Sequence, residues 1–157
     1  MDALELVREY GTSVDPEVLG AAATDVCILF VGPRSPRELA RRVHSLGRSR
    51  RGQFRALECG WPESLIEEHL VHALRPGASG TVYLEEVGRL SPDLQVKLLQ
   101  LLDARSTGEG LRRARARVMA STSEPLIQRV LEGTFNERLF YRLNAIQVVV
   151  APDLDER

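Results

Sequence analysis

With 157 residues, 43% of them apolar, the chain suffices for one domain with a core on two sides and is short for two. Twenty-one basic against twenty-two acidic side chains leave a net charge of −1, so no overall field draws the molecule toward nucleic acid or an anionic membrane. No cationic segment followed by an apolar run opens the sequence, and no apolar stretch approaches the roughly 20 residues that span a bilayer, so a soluble cytoplasmic protein with no membrane partner is expected.

Residues 1–25 read as a helix or linker ahead of the first strand. Val26 to Val31 is a continuous apolar run ended by Gly32-Pro33, the pattern of a strand covered on both faces. Arg37 to Leu46 follows as a helix, then Phe54 to Cys59 as a strand and Glu63 to Leu74 as a helix. Arg75 to Gly80 reads as a tight turn into a strand at Thr81 to Glu85. In the next helix, Pro92 to Ala104, Leu94, Leu98, Leu101 and Leu102 recur at helical spacing, with Ser91 as cap and Pro92 in the first turn. Val118 to Ser121, Pro125 to Leu131 and Ile146 to Val150 complete the series as strand, helix and strand. Five strands alternating with helices imply an α/β three-layer sandwich around a mainly parallel five-stranded sheet. Cys27 and Cys59 lie in apolar runs without His or Cys at ligand spacing, and read as inert core residues.

The segment Gly80-Thr81-Val82-Tyr83-Leu84-Glu85-Glu86-Val87-Gly88 delivers two adjacent carboxylates to the C-terminal end of a buried strand, and resembles "GGTLFLDEIG" of the NtrC-like activators of sigma-54 RNA polymerase, a branch of the AAA+ superfamily. Ser91 to Leu102 is similar to the "PLELQVKLLRVL"-like helix of that family, Arg117 to Leu126 to "VRIIAATNRDL", Phe135 to Asn144 to "FREDLYYRLN", and Val149 to Arg157 to the "PPLRER" run. The resemblance covers about residues 26–157 and implies the large subdomain of an AAA+, P-loop NTPase-like ATPase. Since the last residue, Arg157, falls before the family's small helical lid, that lid is expected to be absent.

A phosphate-binding loop needs glycines whose N–H groups converge on the phosphates, and a lysine for the terminal ones. Where the family has "GESGTGKE", this chain has Gly32-Pro33-Arg34-Ser35-Pro36-Arg37-Glu38, with two prolines that remove donors and fix φ. The resemblance places Gly32, Arg37 and Ser123 at nucleotide-binding positions, with Arg37 in the place of the lysine and Ser123 where the sensor usually has asparagine. Glu85 takes the position of the magnesium-organising aspartate, and so of a metal ligand, and Glu86 that of the glutamate that polarises water. Pairing of Glu85 and Glu86 with nearby arginines is the alternative reading of the same residues. Of the arginines that reach a neighbour's γ-phosphate in the family's hexamers, Asn136 replaces the first and Arg142 retains the second, where a helix-end salt bridge serves equally as explanation.

Only His72 to Ser79 fills the interval in which the family carries its sigma-54-contacting "GAFTGA" excursion. These departures imply a regulatory domain defective in ATP hydrolysis, without ATP or magnesium as cofactor and without direct sigma-54 contact. It acts on a related AAA+ activator, a signalling protein or itself through the face of Phe135 to Asn144. The other reading is a nucleotide-binding ATPase fragment with atypical motifs, which would take ATP and magnesium. Arg41, Arg42, Arg48, Arg50, Arg51 and Arg55, and Arg112, Arg113, Arg115 and Arg117, form basic clusters without interleaved aromatics, which favours solvated or partner-facing surface over nucleic-acid binding.

Overall fold

The computed structural model describes residues 20, 24, 26–33, 35–47, 49–106 and 116–150. The expected segment at residues 1–25 lies almost wholly outside them, as do Arg34, Arg48, Arg112, Arg113, Arg115 and residues 151–157.

In chain order the elements are β1 (Ile28–Val31), α1 (Arg37–Leu46), β2 (Phe54–Glu58), α2 (Glu63–Ala73), β3 (Thr81–Glu85), a 3-10 turn (Val87–Arg89), α3 (Pro92–Ser106), β4 (Arg117–Thr122), α4 (Leu126–Leu131), α5 (Glu137–Leu143) and β5 (Ile146–Val149). All pairs are parallel, in the order β2-β3-β4-β1-β5. Parallel strands buried on both faces need apolar residues at odd and even positions alike, which is why β1 reads as an unbroken run.

Alternation sends the strand side chains to two cores. Ile28, Phe30, Tyr83 and Met119 face Leu39, Ala40 and Val43 of α1. Leu29, Val82, Leu84, Val118 and Ala120 face Ile66 and Leu70 of α2, Leu94, Leu98 and Leu102 of α3, and Leu139 and Leu143 of α5. Each fully buried aliphatic chain contributes about 1.5–3 kcal/mol, so the second and larger core dominates the packing. Within α3, Leu99 joins the core, while Leu101, expected there from its spacing, is only half-buried. Ser91 caps α3 by accepting the Leu94 N–H at 3.2 Å.

Buried Gln95 ties the C-terminal helices together. Its amide nitrogen donates to Leu90 O at 2.9 Å and Thr134 O at 3.3 Å, and its oxygen accepts the Asn136 N–H at 2.8 Å. Arg129 performs a similar task, donating to Gly88 O and, at 3.2 Å, to Glu124 Oε1 and Thr134 Oγ1.

Candidate functional site

The carboxyl ends of β1, β3 and β4 meet at one edge of the sheet, the position where open parallel sheets bind ligands. Gly32 ends β1 and donates its N–H to Thr122 O at 3.1 Å. A Cβ at Gly32 would strike the Val150 carbonyl oxygen, so only glycine fits between β1 and the exit of β5. The backbone then turns through Ser35 and Pro36 into α1, whose first interior bond runs from Ala40 N to Pro36 O at 2.8 Å.

Arg37 opens α1 and grips Glu85 at the end of β3. Its Nε donates to Oε1 at 2.8 Å and its Nη2 to Oε2 at 2.6 Å, a two-pronged match of guanidinium to carboxylate. Ser35 Oγ donates to the same Oε1 at 2.5 Å, which leaves the Tyr83 hydroxyl to donate to Ser35 Oγ at 2.9 Å. Glu58 on β2 adds a looser ion pair with Arg37 at 3.6 Å. Glu85 is buried, yet the Arg37 fork, joined by Ser35, holds its carboxyl below the usual range against the opposing effect of burial. The same bonds raise Arg37 above its ordinary value.

Glu86 takes a separate course. Its backbone is left-handed, φ +53°, the only non-glycine in that region among the described residues. The turn swings its side chain to the exit of β4, where the carboxylate accepts the N–H of the next residue, Ser123, at 3.2 Å and its hydroxyl at 3.0 Å. The adjacent acids therefore diverge: Glu85 meets an arginine and Glu86 a serine. An arginine partner for Glu86 is not what these contacts give.

Gly32, Arg37, Glu85, Glu86 and Ser123 are thus brought to one end of the sheet, and Arg142 is held by another part of the fold. It lies on α5 and donates to Leu102 O of α3 at 2.7 Å, with Asp103 Oδ1 at 3.4 Å. Cations near a helix C-terminus are favoured by the helix dipole, and α3 ends a turn further on. Asn136 caps α5, accepting the Leu139 N–H at 2.9 Å. The face proposed from Phe135 to Asn144 is only partly a surface: Phe135, Leu139, Phe140 and Leu143 are buried, and Glu137, Arg138 and Tyr141 are exposed. Helical periodicity turns Phe140 inward because it falls on the Leu139 and Leu143 side, so Tyr141 is the aromatic that faces out.

Magnesium with a triphosphate would require free carboxylate oxygens and converging N–H donors. Both oxygens of Glu85 are taken by Arg37, the Gly32 N–H is spent on Thr122, and Pro33 and Pro36 have none to offer. No cluster of three or more His, Cys, Asp or Glu suited to a metal occurs among the described residues. As arranged, Glu85 and Gly32 are engaged within the chain, while the first N–H groups of α1 precede its first interior bond at Ala40.

Ser35, Tyr83 and Glu58 were not singled out by motif. Period-two alternation carries the missing signal, since Tyr83 and Glu85 must share the α1 face of β3. Arg117, counted in the sequence within a basic cluster, is 1% exposed because it is the first residue of central strand β4. An aromatic does accompany the other cluster: the Arg41 guanidinium lies 4.8 Å above the Phe54 ring. No helix among the described residues is long and apolar enough to cross a membrane.

Residues 73–149 match the sigma-54 interaction domain. The chain is 35% identical over 139 residues to the regulatory protein AtoC of Escherichia coli (strain K12), covering 76% of this chain and 30% of that protein. It is 33% identical over 158 residues to the C4-dicarboxylate transport transcriptional regulatory protein DctD of Rhizobium meliloti (strain 1021), covering 87% of this chain and 34% of that protein. The chain spans about a third of the length of these curated relatives. The fold is shared with NtrX from Brucella abortus in complex with ATP, at TM-score 0.74 and 23% identity over 96% of this chain and 38% of that one. It is shared too with the P-loop NTPase domain of the sigma-54 transport activator from E. coli, at TM-score 0.65 and 18% identity, covering 97% of this chain and 99% of that one. Residues 73–149 thus match the sigma-54 interaction domain family, and the chain is similar in sequence to transcriptional regulators of that family and in fold to a P-loop NTPase domain.

Proposed function

We propose that this chain is a transcription-associated regulatory domain that has lost ATP hydrolysis and works through protein–protein contact. The observation that carries this reading is the Arg37–Glu85 fork. A residue in the place of the phosphate-binding lysine neutralises a residue in the place of the magnesium-binding acid, so the site satisfies itself. In support, residues 74–80 alone join α2 to β3, where the family's sigma-54-contacting excursion would stand, so direct contact with sigma-54 is not part of the proposal. The partners we infer are a related AAA+ activator, a signalling protein or a second copy, in the cytoplasm. The docking face is the exposed side of α5 with Arg138, Tyr141 and the edge of Arg142.

A second reading is favoured by the structures of NtrX, which were solved with ATP and with ADP. On that reading Arg37 swings to the phosphates, freeing Glu85 for magnesium, and Glu86 polarises water while held by Ser123. Calorimetric titration with MgATP and a phosphate-release assay separate the two. The regulatory reading expects no saturable heat and release at background; saturable binding with release abolished in Glu86→Gln establishes the other. Pull-downs and mass photometry with Arg142→Ala and Tyr141→Ala test the docking face, and retention of all wild-type partners and assemblies by both variants rules it out.

A further inference from the structure

At the opposite, amino-terminal end of the strands, two turns lie back to back. One leads through Ser49 and Gly52 into β2, and the other runs from α2 through residues 74–80 into β3. The Thr81 N–H donates to Gln53 O at 2.8 Å, and Gly80, at φ +89°, presses against the Gln53 backbone where any Cβ would collide. Further bonds close each turn on itself, Gly52 N to Ser49 O and Ala78 N to Arg75 O, both at 3.0 Å. The walls of the space between them are therefore fixed by main chain.

That space is a cavity of about 340 Å³. Its floor is small and buried, with Ala73, Ala78 and Thr81, and its rim carries Arg51, Arg55 and Arg75. The arginines arrive from three segments: the turn before β2, β2 itself, and the turn after α2. Arg55 Nε donates to Gln53 Oε1 at 3.1 Å, and Arg75 Nη1 to His72 O at 2.5 Å. Neither bond cancels charge, and no carboxylate lines the cavity. None of the ion pairs among the described residues involves any of these three.

Three arginines lining one concave site with no carboxylate among the lining residues raise its local positive potential, which favours an anion there. A lone carboxylate presents two coplanar oxygens and satisfies one guanidinium fork. A phosphate presents oxygens in three directions and can engage arginines supplied by three separate segments. The volume falls in the range of about 300–1,000 Å³ typical of small-ligand sites. We propose that this cavity binds a small phosphorylated ligand carrying at least two negative charges. It is distinct from the Arg37–Glu85 end of the sheet, since the length of β3, about 13 Å at strand rise, separates Thr81 from Glu85.

Pyrophosphate titrated into the full chain at low salt, read by calorimetry and thermal shift, is the test. The expected result is saturable binding with a concentration-dependent rise in Tm, weakened about tenfold in Arg51→Gln and in Arg75→Gln, the loss of one charged hydrogen-bonding partner each. Arg89→Gln, an exposed arginine of the 3-10 turn that does not line the cavity, retains wild-type affinity. Absence of saturable binding overturns the proposal. So does loss in Arg37→Gln alone, which would assign the anion to the loop after β1. Salt-sensitive binding of duplex DNA that both rim variants abolish, with no pyrophosphate binding, would make the rim a nucleic-acid surface instead.

Discussion

Arg37 and Glu85 stand 48 residues apart in the chain and meet through both carboxylate oxygens, at 2.8 and 2.6 Å. Glu85 is the more enclosed partner, its side chain 9% exposed against 41% for Arg37, so the energetics of the pair are set by a buried carboxylate that one partly hydrated arginine satisfies. Removing the arginine alone strands that carboxylate; removing both does not.

Arg37→Leu is therefore expected to cost about 2 kcal/mol, a figure reduced for the exposure of Arg37. The double variant Arg37→Leu/Glu85→Leu should recover a large part of the loss. Urea denaturation at neutral pH supplies the four stabilities of the cycle. Simple additivity of the two single effects would mean that the fork carries no coupling.

Two groups make the fold sensitive to acid. His44 is lowered chiefly by burial, with the charges of Arg41 and Arg117 acting in the same direction and a bond to the Gly52 backbone opposing them; its Nδ1 lies 2.7 Å from Thr81 Oγ1. Glu85 is lowered chiefly by Arg37. In each case the folded state holds its proton less readily than the unfolded chain, so stability rises with pH across the window between the two values. Stability is accordingly expected to fall from about pH 6.5 downward because of His44, and again below about pH 4.3 because of Glu85. Denaturation curves of His44→Gln should lack the first decline, and those of Glu85→Gln the second. Unchanged slopes in both variants would place the titration elsewhere.

Asn136 offers a third measurement. Its side chain caps α5 through the Leu139 N–H, so Asn136→Ala should lose about 1 kcal/mol and Asn136→Asp little. Asn136→Arg, which restores the residue type of the resemblance, should be destabilising by a similar amount, because arginine has no acceptor for that N–H. Thermal denaturation decides it, and an Asn136→Arg protein as stable as wild type would show that the cap is dispensable.

Cys59 has its thiol pushed up to about 12, burial being the main cause and the nearby Glu85 and Glu86 adding to it. At neutral pH it should resist alkylation in the folded protein and react on unfolding. Mass spectrometry after iodoacetamide treatment, with and without denaturant, locates the label. Modification of Cys59 under native conditions at the rate of a free thiol would contradict its burial.

Much of the fold was legible because its signals are local. The apolar run of β1, the Ser91-Pro92 start of α3 and the helical spacing of Leu94, Leu98 and Leu102 each fix an element without reference to the rest. The five parallel strands occur where the sequence places them, within one or two residues at their ends. The candidate site was legible only as a set of positions. That Arg37 would choose Glu85 while Glu86 turned to Ser123 depends on the left-handed backbone of Glu86, which no propensity of glutamate announces. Phe140 was assigned to a surface because a motif does not say which side of its helix is inward. Arg117 was counted as surface charge because composition does not distinguish a central strand from an edge.

The strand order also has a temporal side. β1 is synthesised first, but its neighbours are β4 and β5, so nothing that it pairs with exists until Arg117 and beyond have left the ribosome. Until then Ile28, Leu29 and Phe30 form an open apolar segment with unpaired main-chain groups on both sides. Such long-range parallel pairing is slow, because distant ends must close before any contact rewards them. The β2-β3 pair, joined by α2 alone, is ready earlier and furnishes the platform onto which β4 and then β1 add. Fragments that end before β4 should accumulate as aggregates, whereas the full sheet encloses β1 between β4 and β5.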